Sequence, residues 1–251
     1  MNDLLVLCYH GISETWPAET SVTPQDFEDQ LQQLVDHGYK GATFSDALAR
    51  PTAEPTLVVT FDDAHSSVME LAAPTMSRLG LPGTIFVPTD FAGSDRLMGW
   101  DGYDRWLGTA HEEELRCMNW DQLEALVADR WEIGSHTCSH PRLSTLDEAE
   151  IALEVTTSRE ECEDRLGMPC RSIAYPYSDY DERVIRVVAD SGYLVAATVP
   201  TSSAAPLPFE WPRVGVYHGE SSKRVWLRSR LRRTQPAMLA RAAQRLRRPG
   251  R

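Results

Sequence analysis

The sequence has no apolar run close to the roughly 20 residues that a membrane-spanning helix needs. Its first apolar stretch, residues 4–8, is too short for a secretory leader. No basic residue precedes it and no small-residue cleavage site follows, so the expected compartment is the cytoplasm. There are only five cysteines, an odd number with no C-x-x-C spacing, which argues for reduced structural thiols and against a disulfide framework. A glycine-rich dinucleotide fingerprint is missing, and so is the H-E-x-x-H pattern of zinc proteases. Acidic residues are absent from 221–251, where ten Arg and one Lys give +11. With −12 on the whole chain, the remaining residues carry −23.

What is present is an ordinary soluble composition. The chain has 251 residues, 42% of them hydrophobic and 25% charged, enough to bury a sizeable core. Apolar runs alternate with segments of helical period. LLVLCY at residues 4–9 reads as a buried strand. TPQDFEDQLQQLVDHG reads as a helix with Thr23 as N-cap, Pro24 in the first turn and Gly38 past the end. GATFSDAL, TLVVTFDD, GTIFVP, WEIGSH, RSIAYPY, YLVAATV and PRVGVY read as further strands. Residues 66–79, NWDQLEALVADR, 146–166 and DERVIRVVADSG read as helices. This alternation predicts a parallel sheet covered by helices, and without a nucleotide fingerprint a (β/α) barrel is favoured over an open Rossmann-like sheet. Residues 90–118 are too long for a simple connection. Carrying Trp100, Tyr103 and Trp106, they read either as a binding loop or as an ordered excursion packing its own aromatics.

The polar residues gather at strand ends. His10 ends the first strand, Asp62 and Asp63 follow LVVTF, His136 ends WEIGS with His140 four residues on, and Tyr175, Pro176 and Tyr177 close the strand from Arg171. In a barrel, these C-terminal strand ends are where active sites are built. Two imidazoles and the Asp63 carboxylate make a three-ligand set for zinc or another divalent ion, with a position left for water. The neighbouring Asp62 is then placed to act as a base.

Together, TFDD, HTCSH and AYPY resemble the polysaccharide deacetylases of the NodB-homology type, carbohydrate esterase family 4. The resemblance runs from the first strand to about residue 218. It implies an α/β fold, a distorted (β/α) barrel of seven to eight parallel strands, and metal-dependent removal of an N-acetyl group from a sugar. Carried over by position, it makes Asp62 the catalytic base and Asp63, His136 and His140 the ligands of a divalent metal, zinc first, with cobalt, nickel or manganese as alternatives. It also makes the Tyr177 backbone N–H an oxyanion donor.

The chain departs from the pattern in three places. Ala64 stands where the family usually has Gly after the two aspartates. AYPY replaces Arg-Pro-Pro-Tyr, so the usual arginine partner of the base is missing, and Arg213 in WPRVGV resembles a replacement. It is read either as pairing with Asp62 or as a surface arginine. VYH at 216–218 is a poor match to the usual Leu-x-His motif. CYH at 8–10 resembles the N-terminal histidine of a permuted branch that includes biofilm poly-N-acetylglucosamine deacetylases. The general acid is therefore expected to be His10, with His218 as the alternative. Cys8 would line the acyl pocket, and Tyr175, Pro176, Trp100 and Trp106 are candidate substrate contacts.

Two other functions fit the same residues: a deformylase or other hydrolase of non-peptide C–N bonds, and a catalytically silent glycan-binding module. Residues 1–220 are read as the catalytic domain and 221–251 as a basic tail with a helix from Thr234. That tail is expected to dock on the acidic body, to be a disordered end, or to touch an anionic membrane, with a lipid-linked or nucleotide-linked sugar as substrate at the inner membrane face. Nucleic acid is not an expected partner of so acidic a body.

Overall fold

The computed structural model describes residues 4–200 and 206–231. Among the described residues the parallel sheet has nine strands, a short one at Lys40–Gly41 off its main path and eight along it: β1 (Leu4–Tyr9), β2 (Thr56–Phe61), β3 (Gly83–Val87), β4 (Glu132–Ser135), β5 (Ser172–Ala174), β6 (Val195–Thr198), β7 (Trp211–Pro212) and β8 (Val214–Gly215). They lie in the spatial order β7-β6-β5-β4-β3-β2-β1-β8. The two ends of this order are joined by one residue. Trp211 and Pro212 pair with Ala197 and Thr198, while Val214 and Gly215 pair with Leu7 and Cys8, and Arg213 sits between. A single chain segment thereby closes the barrel, and its break into two short strands is the distortion.

Helices cover the outside: α1 (Pro24–Asp36), α3 (Ala73–Arg78), α4 (Trp120–Ala128), α5 (Glu148–Leu166), α6 (Glu182–Asp190) and α7 (Ser222–Leu231), while α2 (Phe44–Ala49) lies between α1 and β2 in sequence. The expected cap at Thr23 forms, accepting from the Asp26 amide, and Asn119 and Asp147 each close a capping box. One sequence expectation is corrected. GATFSDAL is not a strand: only Lys40 and Gly41 pair with β2, and α2 follows from Thr43. Its Phe44, Ala47 and Leu48 pack with Leu4, Val6, Val58, Phe86 and Trp211, which face the barrel interior.

Strand alternation then decides which side chains line the site. On β1, Leu5, Leu7 and Tyr9 join the layer under the helices, while Leu4 and Val6 face inward, so Cys8 and His10 continue the inward set. The same count on β2 sends Leu57, Val59 and Phe61 outward and aligns Thr60 and Asp62 with the inward Val58. Gly134 on β4 faces inward too, and a Cβ there would come within 2.8 Å of Phe86.

Of the residues 221–251, the described part is α7. It packs against the body through fully buried Val225, and the Trp226 ring lies tilted by 34° against His37 at 4.0 Å between ring centroids. Arg228 bonds Glu220 and the Gly215 carbonyl. The helix expected from Thr234 lies outside the described residues.

Candidate active site

The C-terminal rim of the barrel is built from tight turns in which non-glycine residues take left-handed backbone angles. Asp63 (φ 68°), Ala64 (52°), Thr137 (67°), His140 (63°), Tyr177 (57°) and Ser178 (53°) all lie there. Each such angle costs about 1 kcal/mol or more, and the surrounding hydrogen bonds must hold it. Ala64 thus adopts the conformation that a glycine would take more freely, and its buried methyl is accommodated in the core.

The turns bring Asp63, His136 and His140 together. Asp63 Oδ1 lies 3.4 Å from Nε2 of both histidines, and all three residues are buried. His136 Nδ1 donates to the Ala174 carbonyl at 2.8 Å, which leaves Nε2 as the inward-facing atom. Asp63 Oδ1 is buried and has no hydrogen-bond partner. Burial pushes the His140 imidazole down to about 3. Burial acts the same way on His136 and is the largest single influence, but the Asp63 and Asp62 carboxylates and the Ala174 carbonyl together outweigh it and raise the imidazole. Asp63 is held well below the usual carboxylate range because its histidine partners outweigh its burial. A buried, partnerless carboxylate oxygen facing two Nε2 atoms fits a divalent cation in a two-histidine, one-carboxylate set.

Two supports of this trio escaped sequence reading. Glu154 on α5 accepts from the amides of Cys138 (2.8 Å) and Ser139 (2.9 Å) and from the Ser139 hydroxyl (2.5 Å), gripping the loop between the two histidines. Tyr103 donates to Asp63 Oδ2 at 2.8 Å and lies 2.9 Å from His65 Nε2. Burial, then the Asp63 charge, pushes the Tyr103 phenol well up, so it keeps its proton. The only signals were that Tyr103 falls in the long 90–118 segment and that His65 follows Asp63 by two residues.

Asp62 occupies a separate compartment. Arg213, 1% exposed, donates from two nitrogens to its two oxygens, both at 2.7 Å, and to the Thr60 hydroxyl at 3.0 Å. Burial would raise the Asp62 pKa, but Arg213 more than offsets this and holds it at about 2. Cys8 donates to Asp62 Oδ2 at 3.4 Å, and burial pushes this thiol far up. Donor atoms of Cys8, His10 and Asp62 lie within 4.8 Å of one another, yet they suit a cation poorly. Both carboxylate oxygens already serve Arg213, and the thiol stays protonated.

A cavity of about 320 Å³ opens over both compartments, at the small end of the roughly 300–1,000 Å³ range of small-molecule pockets. His10, Asp62, Asp63, His136, His140, Trp100, Tyr175 and Tyr177 line it. Trp100 stacks on His140 at 3.9 Å, and the Arg142 guanidinium sits 4.0 Å over Tyr177. Tyr175 spends its hydroxyl on the Phe209 carbonyl at 2.9 Å. Burial lowers the His10 pKa, partly opposed by Asp63 and Asp62. His218 is not among the lining residues; its Nδ1 faces the Ser21 carbonyl at 3.2 Å. Three expected substrate contacts are also off the lining. Cys8 is sealed behind Asp62, Pro176 is buried in its turn, and Trp106 packs edge-on to Trp16 at 6.0 Å.

Residues 49–196 match the family model described as polysaccharide deacetylase. That span holds Asp62, Asp63, His136, His140 and Tyr177, while His10 and Arg213 lie beyond its two ends. Among curated proteins, the chain is 24% identical over 207 residues to YxkH of Bacillus subtilis, provisionally named a polysaccharide deacetylase. This alignment covers 80% of the chain and 66% of YxkH. It is 21% identical over 198 residues to a Staphylococcus aureus protein named poly-β-1,6-N-acetyl-D-glucosamine N-deacetylase, covering 74% of the chain and 63% of that protein. The chain thus spans just under two thirds of the length of these relatives. Two solved structures share the fold. The Streptococcus pyogenes deacetylase PplD in complex with acetate has a TM-score of 0.75 at 21% identity, over 90% of this chain and 97% of that one. IcaB from Ammonifex degensii has a TM-score of 0.71 at 22% identity, over 91% and 97%. With more than half of its length matched by the family model and with this barrel, the chain belongs to the polysaccharide deacetylase family.

Proposed function

We propose that the protein is a metal-dependent hydrolase that removes an N-acetyl group from an acetylated amino sugar. The observation that carries this reading is the buried, partnerless Asp63 Oδ1 facing His136 and His140, beside an Asp62 held ionised by Arg213. Asp63, His136 and His140 would hold the divalent ion, zinc first, with cobalt, nickel or manganese as alternatives, and the ion supplies Lewis acidity at the acyl oxygen and the attacking water. Asp62 takes the proton of that water, and Arg213 keeps the carboxylate oriented for it. The Tyr177 N–H donates to the oxyanion as the carbonyl becomes tetrahedral. His10 delivers a proton to the departing amine. Its imidazole need not start charged, because an Asp62 oxygen lies within 4.8 Å and the proton taken from water has a short path to it.

An N-acetylated glycan is the substrate class favoured by the family and by the named Staphylococcus aureus relative. Metal analysis of the purified protein, together with acetate release from N-acetylglucosamine oligomers, tests the reading. Bound metal and released acetate support it. Formate release without acetate release would make the enzyme a deformylase. Glycan binding with neither metal nor hydrolysis would make it a silent binding module.

The same proposal extends to a lipid-linked or nucleotide-linked sugar precursor at the cytoplasmic membrane face, with the basic residues beyond α7 against anionic lipid. Among the described residues no helix is long and apolar enough to cross a membrane. Liposome flotation of the full chain and of a chain ending at 231 tests the contact. The truncation spares α7 because Val225 belongs to the core. Equal absence of flotation would overturn it.

A further inference from the structure

The 90–118 segment builds a small core of its own. Phe91, Met98, Tyr103 and Leu115 pack with Trp16 and Ala18, and Trp100 and Trp106 lean on them. The Tyr103 ring is fixed on three sides, with Trp16 at 5.6 Å, Trp100 stacked at 5.5 Å and His65 at 5.4 Å between centroids. This places its hydroxyl against the carboxylate oxygen that does not face the two histidines. The phenol donates to Asp63 Oδ2, and His65 stands behind the phenol with its Nδ1 donating to the Glu114 carbonyl at 2.8 Å. Glu114 belongs to the same segment as Tyr103, so that segment holds His65 from both ring nitrogens.

The two oxygens of Asp63 are therefore unequal. Oδ2 is bonded, whereas Oδ1 is partnerless and lies equally far from both Nε2 atoms. A carboxylate free to turn would present either oxygen or both, and a lone buried Oδ2 would carry the cost of an unsatisfied acceptor. We propose that Tyr103 is a positioning residue that locks Asp63 as a one-oxygen ligand, so that the segment roofing the cavity also sets the affinity of the metal site. This rests on the metal-site reading given above. Outer bonds of this kind orient ligands in other metalloproteins, where their loss weakens binding by about 10- to 100-fold.

Tyr103→Phe keeps the ring and removes only the donor. Zinc affinity is read by chelator competition on the full chain, with the melting temperature of the metal-free protein as a fold control. The expected result is a zinc Kd raised by about 10- to 100-fold, a near-unchanged metal-free melting temperature, and a lowered kcat with KM for the sugar little altered. His65 Nε2 already lies 3.7 Å from Asp63 Oδ2, and it becomes a replacement donor if the ring proton moves from Nδ1 to Nε2 and the bond to the Glu114 carbonyl is given up. The double variant Tyr103→Phe/His65→Leu leaves no donor on either side chain and should bind zinc more weakly still. Zinc binding as tight as wild type in both variants overturns the inference and leaves the metal site standing. A wild-type protein that binds no zinc, cobalt, nickel or manganese overturns the metal site itself.

Discussion

Arg213 grips Asp62 with two parallel 2.7 Å bonds across 151 residues of sequence, from the one residue that joins the two halves of the closing strand. The strand break and the clamp share a location: the residue between β7 and β8 turns its guanidinium into the barrel, where the residue just after β2 presents a carboxylate.

Removing that guanidinium leaves the burial of Asp62 opposed only by His136 and His10. In the wild type the carboxyl is held at about 2, so its ionisation lies below the working range and the acid limb of kcat/KM belongs to other groups. In Arg213→Met the Asp62 pKa should rise above its ordinary value, adding a second ionisation that moves the acid limb to higher pH. Because the folded pKa is the lower one, the stabilisation by the pair is complete above about pH 4 and is lost as the pH falls toward 2. At neutral pH the variant should lose about 3–5 kcal/mol of stability, the cost of an unpaired buried charge. Thermal melts and pH–rate profiles check both effects. An unshifted acid limb would separate Arg213 from the ionisation of Asp62.

The two histidine candidates for the acid now differ in position. His10 lines the cavity, while His218 is turned to the Ser21 carbonyl. His10→Ala should lower kcat by about 10²- to 10⁴-fold, as expected for a lost proton donor, with metal content retained. His218→Ala should stay close to wild type. Turnover assays with metal analysis decide, and the reverse pattern would hand the role to His218.

Much of this site was legible because strand alternation is a short-range rule. Once LLVLCY is a strand, Cys8 and His10 share a face, and the same count aligns Thr60 with Asp62. The candidate ligand trio was legible as a grouping because its residue types are chemically specific, and the fold brings Asp63, His136 and His140 together. What failed depended on distant packing. GATFSDAL looks like a strand until its Phe44 and Leu48 are needed to fill the barrel floor. Trp106 looks like a sugar platform until Trp16 takes its ring. Tyr103 and Glu154 are ordinary residues in sequence, and only the folded chain brings them within 3 Å of the ligand or of its loop.

A second buried carboxylate, unused by the chemistry, predicts a pH effect of opposite sign. Glu132 faces the barrel interior and accepts from the Ser45 amide (2.8 Å) and the Ser172 hydroxyl (2.7 Å). Burial raises its pKa, and those donors oppose it only in part. Its folded state therefore holds the proton more tightly than the unfolded chain does. That contribution is complete below the unfolded value and fades as the pH rises through the folded one. Glu132→Gln carries no such titration, so the stability difference between wild type and variant should turn toward the variant as pH rises from 5 to 8. Parallel melts across that range check it, and curves that keep a constant separation would refute it.

The last prediction concerns the loop that carries both histidines. Thr137 and His140 hold left-handed angles, and Glu154 is the side chain that accepts two amides and a hydroxyl between them. Hydrogen bonds to a charged acceptor contribute about 1.5–3 kcal/mol each, less where water reaches them, and Glu154 is half-buried. Glu154→Ala should let the turn relax toward ordinary angles, spreading the two imidazoles and raising the metal Kd by about 10-fold or more. Glu154→Gln keeps one oxygen for the two amides and an amide group for the Ser139 hydroxyl, so it should recover most of the affinity. Chelator competition on the three proteins separates the shape of the loop from its charge. If Gln binds metal as weakly as Ala, the negative charge of Glu154 matters and its grip on the backbone does not.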